Sequence, residues 1–526
     1  MWGSCPNHRQ YQNFLKEALC TFFILTGHIN ALFIRINWIV RMWVTDLSYI
    51  HEVLGVRYSG KGRPPRDPVP LFRSLLLMAF VGETSITEWV LRLKSDPLLA
   101  ILSGFYPYGF TPPNEQIGTV PGVGTFYDFI DRLWLAESFI RRRQRNKRKN
   151  RRLKSFKAKP KGKNKKGEKM VSHKEGVVAR VIKRILKHDL RKPLGRPEDI
   201  LNDIFKNVFV LPSAQKGLLG NSSRLSVAGD GTSIYTGASH RGTKVCSCRD
   251  NGIYKCDCPR YYSDENADWG WDSYKERYYF GHSLHVFTAA DSHNSLPIHL
   301  FLVSARRHDS VTGVFALRHM THMYPEFNFT QGIFDSAYDS RAFHMMLSTW
   351  DIEPFIDLNH RSSQNVVEKK DYSVNCFGIP ICSAGHMMAY DGPCKDRNRL
   401  KWRCPLKRKK LAKKLSCDKA CCTNPYGKTV YIPVDDDPRI FTKTPRGSER
   451  WKKVYKRRTS VERTNDRIKI DYKLSKTDVR SDKQWFVKAM LASMAIHVDA
   501  WINNDTVANM ISLIKQWAVE LNISCA

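Results

Sequence analysis

The sequence is short of acids: 50 Asp and Glu stand against 85 Lys and Arg, a formal charge of +35 over 526 residues. That balance argues against a small-molecule metabolic enzyme and for a polyanionic partner. The excess is not confined to one tail. Arg141 to Lys169 holds 17 bases and one acid, a local +16, and the other +19 is spread along the chain. Long apolar runs are also missing. The stretch Cys20 to Val44 is interrupted by His28, Asn30, Arg35 and Asn37, so it lacks the roughly 20 apolar residues that span a bilayer. It has neither the cationic start nor the small-residue cleavage site of an export signal. The expectation is a cytoplasmic protein with no membrane partner, its 14 cysteines reduced thiols or metal ligands rather than disulfides. No internal repeat is found. Apolar types at 42% and aromatics at 11% exclude a disordered or collagen-like polymer.

Composition divides the chain into five parts. Residues 1–140 read as an N-terminal helical region for DNA binding or oligomerisation. Gly62-Arg63-Pro64-Pro65 precedes the apolar stretch Val69 to Phe80, which Gly82 ends. Ser85-Ile86-Thr87-Glu88 is a capping box opening a helix through Leu93, and Thr125 is expected to cap another, Phe126 to Phe139. These helices suit a DNA-end-binding domain and, nearly as well, a plain dimerisation domain. Residues 141–175 form a basic linker, suited to sequence-independent phosphate contact or to a simple spacer.

Residues 176–360 change to strand periodicity. Leu225 to Asp230 reads as a short buried strand ending in an acid, and Gln331 to Asp335 as another. His282 to Ala289 and Pro297 to Ser304 flank the turn Asp291-Ser292-His293-Asn294 as a hairpin. A helix from Arg341 to Trp350, capped by Asp339 or Ser340 with Asp339 preferred, leads to the strand Glu353 to Asp357. The pattern is α/β, a mixed sheet with flanking helices. Residues 361–450 lose that regularity and gather Cys, Pro, Lys and Arg, as a Cys-rich insertion would. Residues 451–526 return to helix.

An acid at a strand end is usually a turn or cap residue. Asp230 and Asp335 differ in that each closes an apolar strand and precedes a small residue, Gly231 or Ser336. If the two strands are neighbours, the carboxylates meet at one sheet edge. With a third acid they would hold Mg²⁺ and leave room for phosphate oxygens. The most specific pattern is Tyr455, Arg458, Glu462 and Lys469, spaced Y-x2-R-x3-E-x6-K. On an α-helix these four fall within an arc of roughly 60°. A core-facing stripe would be apolar, and this one is polar throughout. Because Trp451 to Lys473 is strongly basic, a helix lying on a phosphate backbone accounts for it better than a solvated face.

These residues resemble a known family. Tyr455 to Lys469 is similar to the YREK signature of DDE transposases from bacterial insertion sequences. Ala228-Gly229-Asp230-Gly231-Thr232 resembles their first catalytic Asp segment, and Phe334-Asp335-Ser336-Ala337-Tyr338-Asp339-Ser340 the second. Gly62-Arg63-Pro64-Pro65 and the helices after it look like the N-terminal domain of the same enzymes. The resemblance implies an RNase H-like catalytic core with Asp230, Asp335 and Glu462 as the catalytic, metal-binding triad for Mg²⁺ or Mn²⁺. It implies that Tyr455, Arg458 and Lys469 contact double-stranded DNA at the element's ends, and that the protein acts on target DNA as a dimer or higher multimer in a bacterial, nucleoid-associated setting. The 126 residues between Asp335 and Glu462 leave space for the insertion domain many members carry. The implied chemistry is nicking at the element's ends, then attack of the freed 3′-hydroxyl on target DNA. Two rivals remain: a nuclease of the same fold that cuts without joining, and a catalytically silent, zinc-containing DNA-binding descendant.

The cysteines form two groups. Cys246-Ser247-Cys248 and Cys256-Asp257-Cys258 flank Asn251-Gly252, a hairpin turn signal. In strands, each C-x-C would present both sulfurs on one face, so four thiolates could meet around a structural Zn²⁺. Reduced structural thiols are the alternative. Cys376, Cys382, Cys394, Cys404, Cys417, Cys421 and Cys422 are too irregularly spaced to choose a ligand set. His282, His285 and His308 read as hydrogen-bonded structural histidines before metal ligands, Asp309 as a supporting group near the site, and Asp339 as a helix cap. Trp451 and Trp485 read as packing residues before base-stacking ones.

Overall fold

In the computed structural model the described residues are 7–26, 30–58, 65–107, 119–134, 144–145, 175–188, 193, 195–258, 260–359, 367–369, 371–408, 416–418, 421–476 and 479–520. The motif residues Gly62 to Pro64 and, apart from Gln144–Arg145, the whole basic run Arg141 to Lys169 lie outside that set.

The centre is a six-stranded mixed sheet. Its strands are β1 (Leu225–Tyr235), β2 (Asp268–Asp272), β3 (Arg277–Ala289), β4 (Pro297–Ser304), β5 (Phe329–Phe334) and β6 (Glu353–Ile356). β3 runs antiparallel to β1 from Gly281 to Ala289. On its other edge β3 pairs first with β2 and then with β4, both antiparallel. β5 lies parallel to β1, and β6 parallel to β5. The β3–β4 hairpin thus forms where the alternating residues and the turn at Asp291 to Asn294 predict it.

Parallel neighbours need crossovers. Helix α1 (Asp309–Met323) joins β4 to β5, and α2 (Arg341–Thr349) joins β5 to β6. Ser340 caps α2, its hydroxyl accepting from the Phe343 amide at 3.3 Å. Asp339, expected as the cap, instead turns inward. It accepts from the Asn359 amide at 3.0 Å and pairs with His344 and Arg439 at 3.4 and 3.6 Å. The reason is phase: one residue earlier, the side chain points under α2 rather than at its open amides.

The N-terminal helices are not a separate layer. Pro68–Val81 is buried on nearly every side, as is the C-terminal helix α3 (Asp482–Trp501), and both belong to one hydrophobic core running from Tyr11 to Ala518. Polar ties cross the same join: Arg41 pairs with Asp499 at 2.9 Å, and the Lys488 amine donates to the Thr84 carbonyl. The capping box forms as expected, Ser85 accepting from the Glu88 amide at 3.3 Å. The helix expected from Phe126 begins earlier, as Val123–Arg132. The Thr125 amide already bonds the Gly122 carbonyl, which makes Gly122 the capping position and puts Thr125 inside the first turn.

Beyond β6 the chain builds two three-stranded antiparallel sheets, Val367–Lys369 with Tyr372–Val374 and Pro380–Cys382, then Ala389–Cys394 with Arg399–Arg403 and Thr429–Pro433. They enclose a small core of their own around Trp402, Leu400 and Phe441. Among the described residues, no single helix is long and apolar enough to cross a membrane.

Candidate active site

The parallel register of β1 and β5 sets the site. Ala228 stands opposite Ile333, so Asp230 and Asp335, each two residues further on, come side by side. Asp335 lies just past the end of β5, and Asp230 in the middle of β1, which does not end at the acid as expected but stays paired with β3 to Tyr235. Close packing of the sheet brings the backbones this near. A Cβ on Gly229 would stand 2.7 Å from the Phe334 ring and 2.8 Å from that of Phe287. Only a glycine lets the two aromatic rings fill the floor beneath the acids.

Each acid is oriented by a local amide. Asp230 accepts from the Gly231 amide at 2.9 Å and Asp335 from the Ala337 amide at 3.0 Å. Asp335 thereby caps the short turn Ser336–Tyr338. Neither is ion-paired among the described residues. Burial, then the neighbouring charges of Asp335 and Asp309, pushes Asp230 up to about 7. Burial, with Asp357 adding to it, raises Asp335 as well. These are anions held in a place that disfavours anions.

The segment carrying Glu462 lies across this sheet end. It is helical from Glu449 to Asp471 but not one regular α-helix. An α-helix Glu449–Tyr455 tightens to a 3₁₀ turn at Lys456–Arg458, resumes as Thr459–Asp466, and widens to a π turn at Arg467–Asp471. The single 60° stripe expected from ideal geometry therefore does not apply. Tyr455, Arg458 and Glu462 nonetheless stay together: Arg458 Nη2 donates to Glu462 Oε1 at 2.6 Å. Burial works against the Arg458 charge, but Tyr455, Glu462, Asp230 and Asp335 outweigh it and raise its pKa. The guanidinium thus feels the charges of Asp230 and Asp335 while it is bonded to Glu462, whose side chain is 45% exposed. Tyr455, pushed up to about 12 by burial and by Asp357, stacks on Trp451 at 4.5 Å. Lys469 is carried further round by the π turn. Burial lowers it, while Asp272 and Asp230 pull it back up. Trp451 and Trp485 are both buried, as packing residues would be.

Three further acids stand near the site: Asp309, already noted from the sequence, and Asp272 and Asp357, which carry little sequence signal. Asp309, the first residue of α1, reaches over Gly231. Asp272 accepts from Ser233 and Tyr235 hydroxyls at 2.9 and 2.8 Å. Asp357 acts on Asp335 and Tyr455 through its charge. Of the histidines, His282 bonds buried Asp264 at 2.8 Å and His285 bonds the Tyr338 hydroxyl at 2.6 Å. His308 caps α1 beside Asp309.

Cys246, Cys248, Cys256 and Cys258 do converge, their sulfurs all within 4.8 Å of one another. They do so from turns rather than from strands. The flanking ladder is short, Thr243–Lys244 with Arg260–Tyr261, whose other edge pairs with Gln144–Arg145, and the cysteines lie in the tip beyond it, which folds back at Gly252 with φ of 74°. Cys246 is drawn down to about 7 by the Cys248 amide and the Cys256 thiol. In the second small core Cys421, which packs beside Cys382, is raised by burial and then by the nearby thiols of Cys382, Cys422 and Cys404.

The donor sets fit different metals. Buried carboxylates that lack an ion pair suit a hard divalent ion, and four clustered thiols suit a soft, tetrahedral one. No curated protein matches the chain. A family model described as a transposase DDE domain matches residues 224–497, just over half of its length, from the first residue before β1 to the buried face of α3. The protein belongs to the transposase DDE-domain family.

Proposed function

We propose that the chain is an insertion-sequence transposase of the YREK kind, which nicks DNA at the ends of its element and joins the freed 3′-hydroxyls to target DNA. The observation that carries this reading is the pair Asp230 and Asp335 side by side where the parallel pairing of β1 and β5 ends, faced by the Arg458–Glu462 pair. In this reading Asp230, Asp335 and Glu462 hold Mg²⁺ or Mn²⁺, which supplies Lewis-acid stabilisation of the transferring phosphate. The chain's own groups do the positioning. Arg458 offers its fork to a phosphate oxygen once Glu462 turns from it toward the acids. Tyr455 and Lys469, on either side, would fix the strand end by its backbone. The strand order, an antiparallel trio continued by two parallel strands, supports an RNase H-like core. Two element ends have to be held together before joining, which favours at least a dimer.

The test is a cleavage assay on DNA carrying both element ends in Mg²⁺, with wild type beside Glu462→Gln. End-specific nicks and joined products from wild type alone are expected. Nicks without joining would favour the nuclease, and binding by both proteins without cutting the silent DNA-binding descendant.

The four clustered thiols support a structural Zn²⁺ at Cys246, Cys248, Cys256 and Cys258. The tip has little else to hold it: Val245, Ile253 and Tyr254 are exposed rather than packed. Metal analysis of the reduced protein should find about one zinc fewer per chain in Cys246→Ser/Cys248→Ser than in wild type. Two disulfides in the protein as isolated would overturn it.

A further inference from the structure

We propose that Asp309 is a fourth metal-binding carboxylate of the active site. The inference rests on reading Asp230 and Asp335 as a metal site and adds a ligand from an element outside the triad.

The argument begins at Gly231, the residue after Asp230. A Cβ built there would lie 2.5 Å from Asp309 Oδ1 and 2.9 Å from its carboxyl carbon. The Asp309 carboxylate therefore rests directly on the Gly231 backbone, next to the first acid of the pair. Any side chain at position 231 would drive it away. β1 keeps a glycine here although glycine weakens a strand interior, and the φ at this residue is not in the left-handed region that would call for one. What requires it is the close approach of the carboxylate.

That carboxylate is poorly provided for as a structural group. Its hydrogen bond is from the Ser283 hydroxyl at 3.5 Å, the outer limit of such a bond. No ion pair reaches it among the described residues. Asp335 repels it, and it repels Asp230 in turn. An acid at the first position of a helix gains from the helix dipole, but an exposed one gains as much without burial beside two other acids. His308 beside it eases the repulsion only when protonated. Three carboxylates from β1, β5 and the start of α1, near enough to feel one another's charge and with one hydrogen-bond donor each and no ion pair among the described residues, are an arrangement a hard cation satisfies. Glu462 is meanwhile bonded to Arg458 on the more exposed side, so Asp309 is the better-buried third oxygen donor.

Mn²⁺ binding to the full-length, reduced protein, measured by electron paramagnetic resonance or calorimetry in the absence of DNA, tests this separately from activity. Asp309→Asn keeps the shape and removes the charge. It should weaken Mn²⁺ binding by at least about tenfold while the variant melts no lower than wild type without metal. Gly231→Ala leaves the acid in the sequence but displaces it, and should weaken binding in the same direction. Asp505→Asn, another first-turn helix acid but exposed, should bind as wild type does. If Asp335→Asn loses Mn²⁺ and Asp309→Asn keeps it, the inference fails while the site reading stands. If wild type binds no Mn²⁺, both fail.

Discussion

The carboxylate site and the cysteine tip both collect groups that repel one another once charged, yet they are built in opposite ways. Asp230, Asp335 and Asp309 are brought together by pairing between distant segments, over floors of buried Phe287, Phe334 and Tyr338. The cysteines are brought together by one turn of chain within thirteen residues, with Ile253 and Tyr254 left in solvent. A site that the core holds open in advance can bind and release an ion during chemistry. A tip without a core, on the proposed zinc reading, has to be held by its ion. Rigidity and metal dependence thus trade places between the two regions.

The sharpest way to press that difference is to remove one charge from the rigid site. Asp335→Asn should lower end cleavage by about a thousandfold or more, roughly 4 kcal/mol of barrier. Its melting temperature without metal should hold or rise, since a buried repulsion is relieved. A fall in both would mean that the site is not preformed.

Next in size is a contrast between neighbours, Asp339 and Ser340. Asp339 has a fully buried side chain between His344 and Arg439, so Asp339→Ala leaves buried His344 and the Asn359 amide without their acceptor and should cost roughly 3 kcal/mol in urea unfolding. Ser340→Ala removes only a helix cap, about 1 kcal/mol. Equal costs would show that Asp339 is acting locally after all.

That contrast also marks what the sequence could and could not reveal. Periodicity exposed the first half of β1, the β3–β4 hairpin, β5 and α2, because each depends on its own residues; the half of β1 past Asp230 is held by pairing with β3 and was not legible. Spacing exposed the cysteine cluster and the Tyr455–Arg458–Glu462 group for the same reason. The inward turn of Asp339 depends on Asn359 and Arg439, both far along the chain, and no local pattern reports it. The place of Asp309 depends on a missing Cβ at Gly231, across the sheet. The change of helical pitch between Tyr455 and Lys469 is set by what the segment packs against. The small core of the insertion joins strands whose pairing is not written in any one of them.

Acid should probe the rigid region next. Burial lowers His285 to about 3 and His497 to about 4, against an ordinary value of about 6.5 in the unfolded chain. The folded state holds both neutral, so their contribution is complete above about 6.5 and is lost as pH falls toward the folded values. Each should add a slope of about 1.4 kcal/mol per pH unit within that window. Urea midpoints measured from pH 7 to pH 5 should fall for wild type and fall less steeply for His497→Gln, which loses one titrating group.

The smallest global effect should come from the tip, and that is its value as a test. Cys248→Ser should release the zinc, yet shift the urea midpoint of the whole protein by less than about 1 kcal/mol. The tip adds almost no apolar surface to the main core, and its base is fixed without metal. Buried Asp264 holds Thr236, the Ala267 amide and His282 at 3.0, 3.1 and 2.8 Å. The loss should therefore stay local, seen as new protease cuts between Val245 and Cys258 that zinc suppresses in wild type. A drop in global stability as large as that of Asp339→Ala would break the comparison, because the zinc would then be holding the sheet as well as the turn.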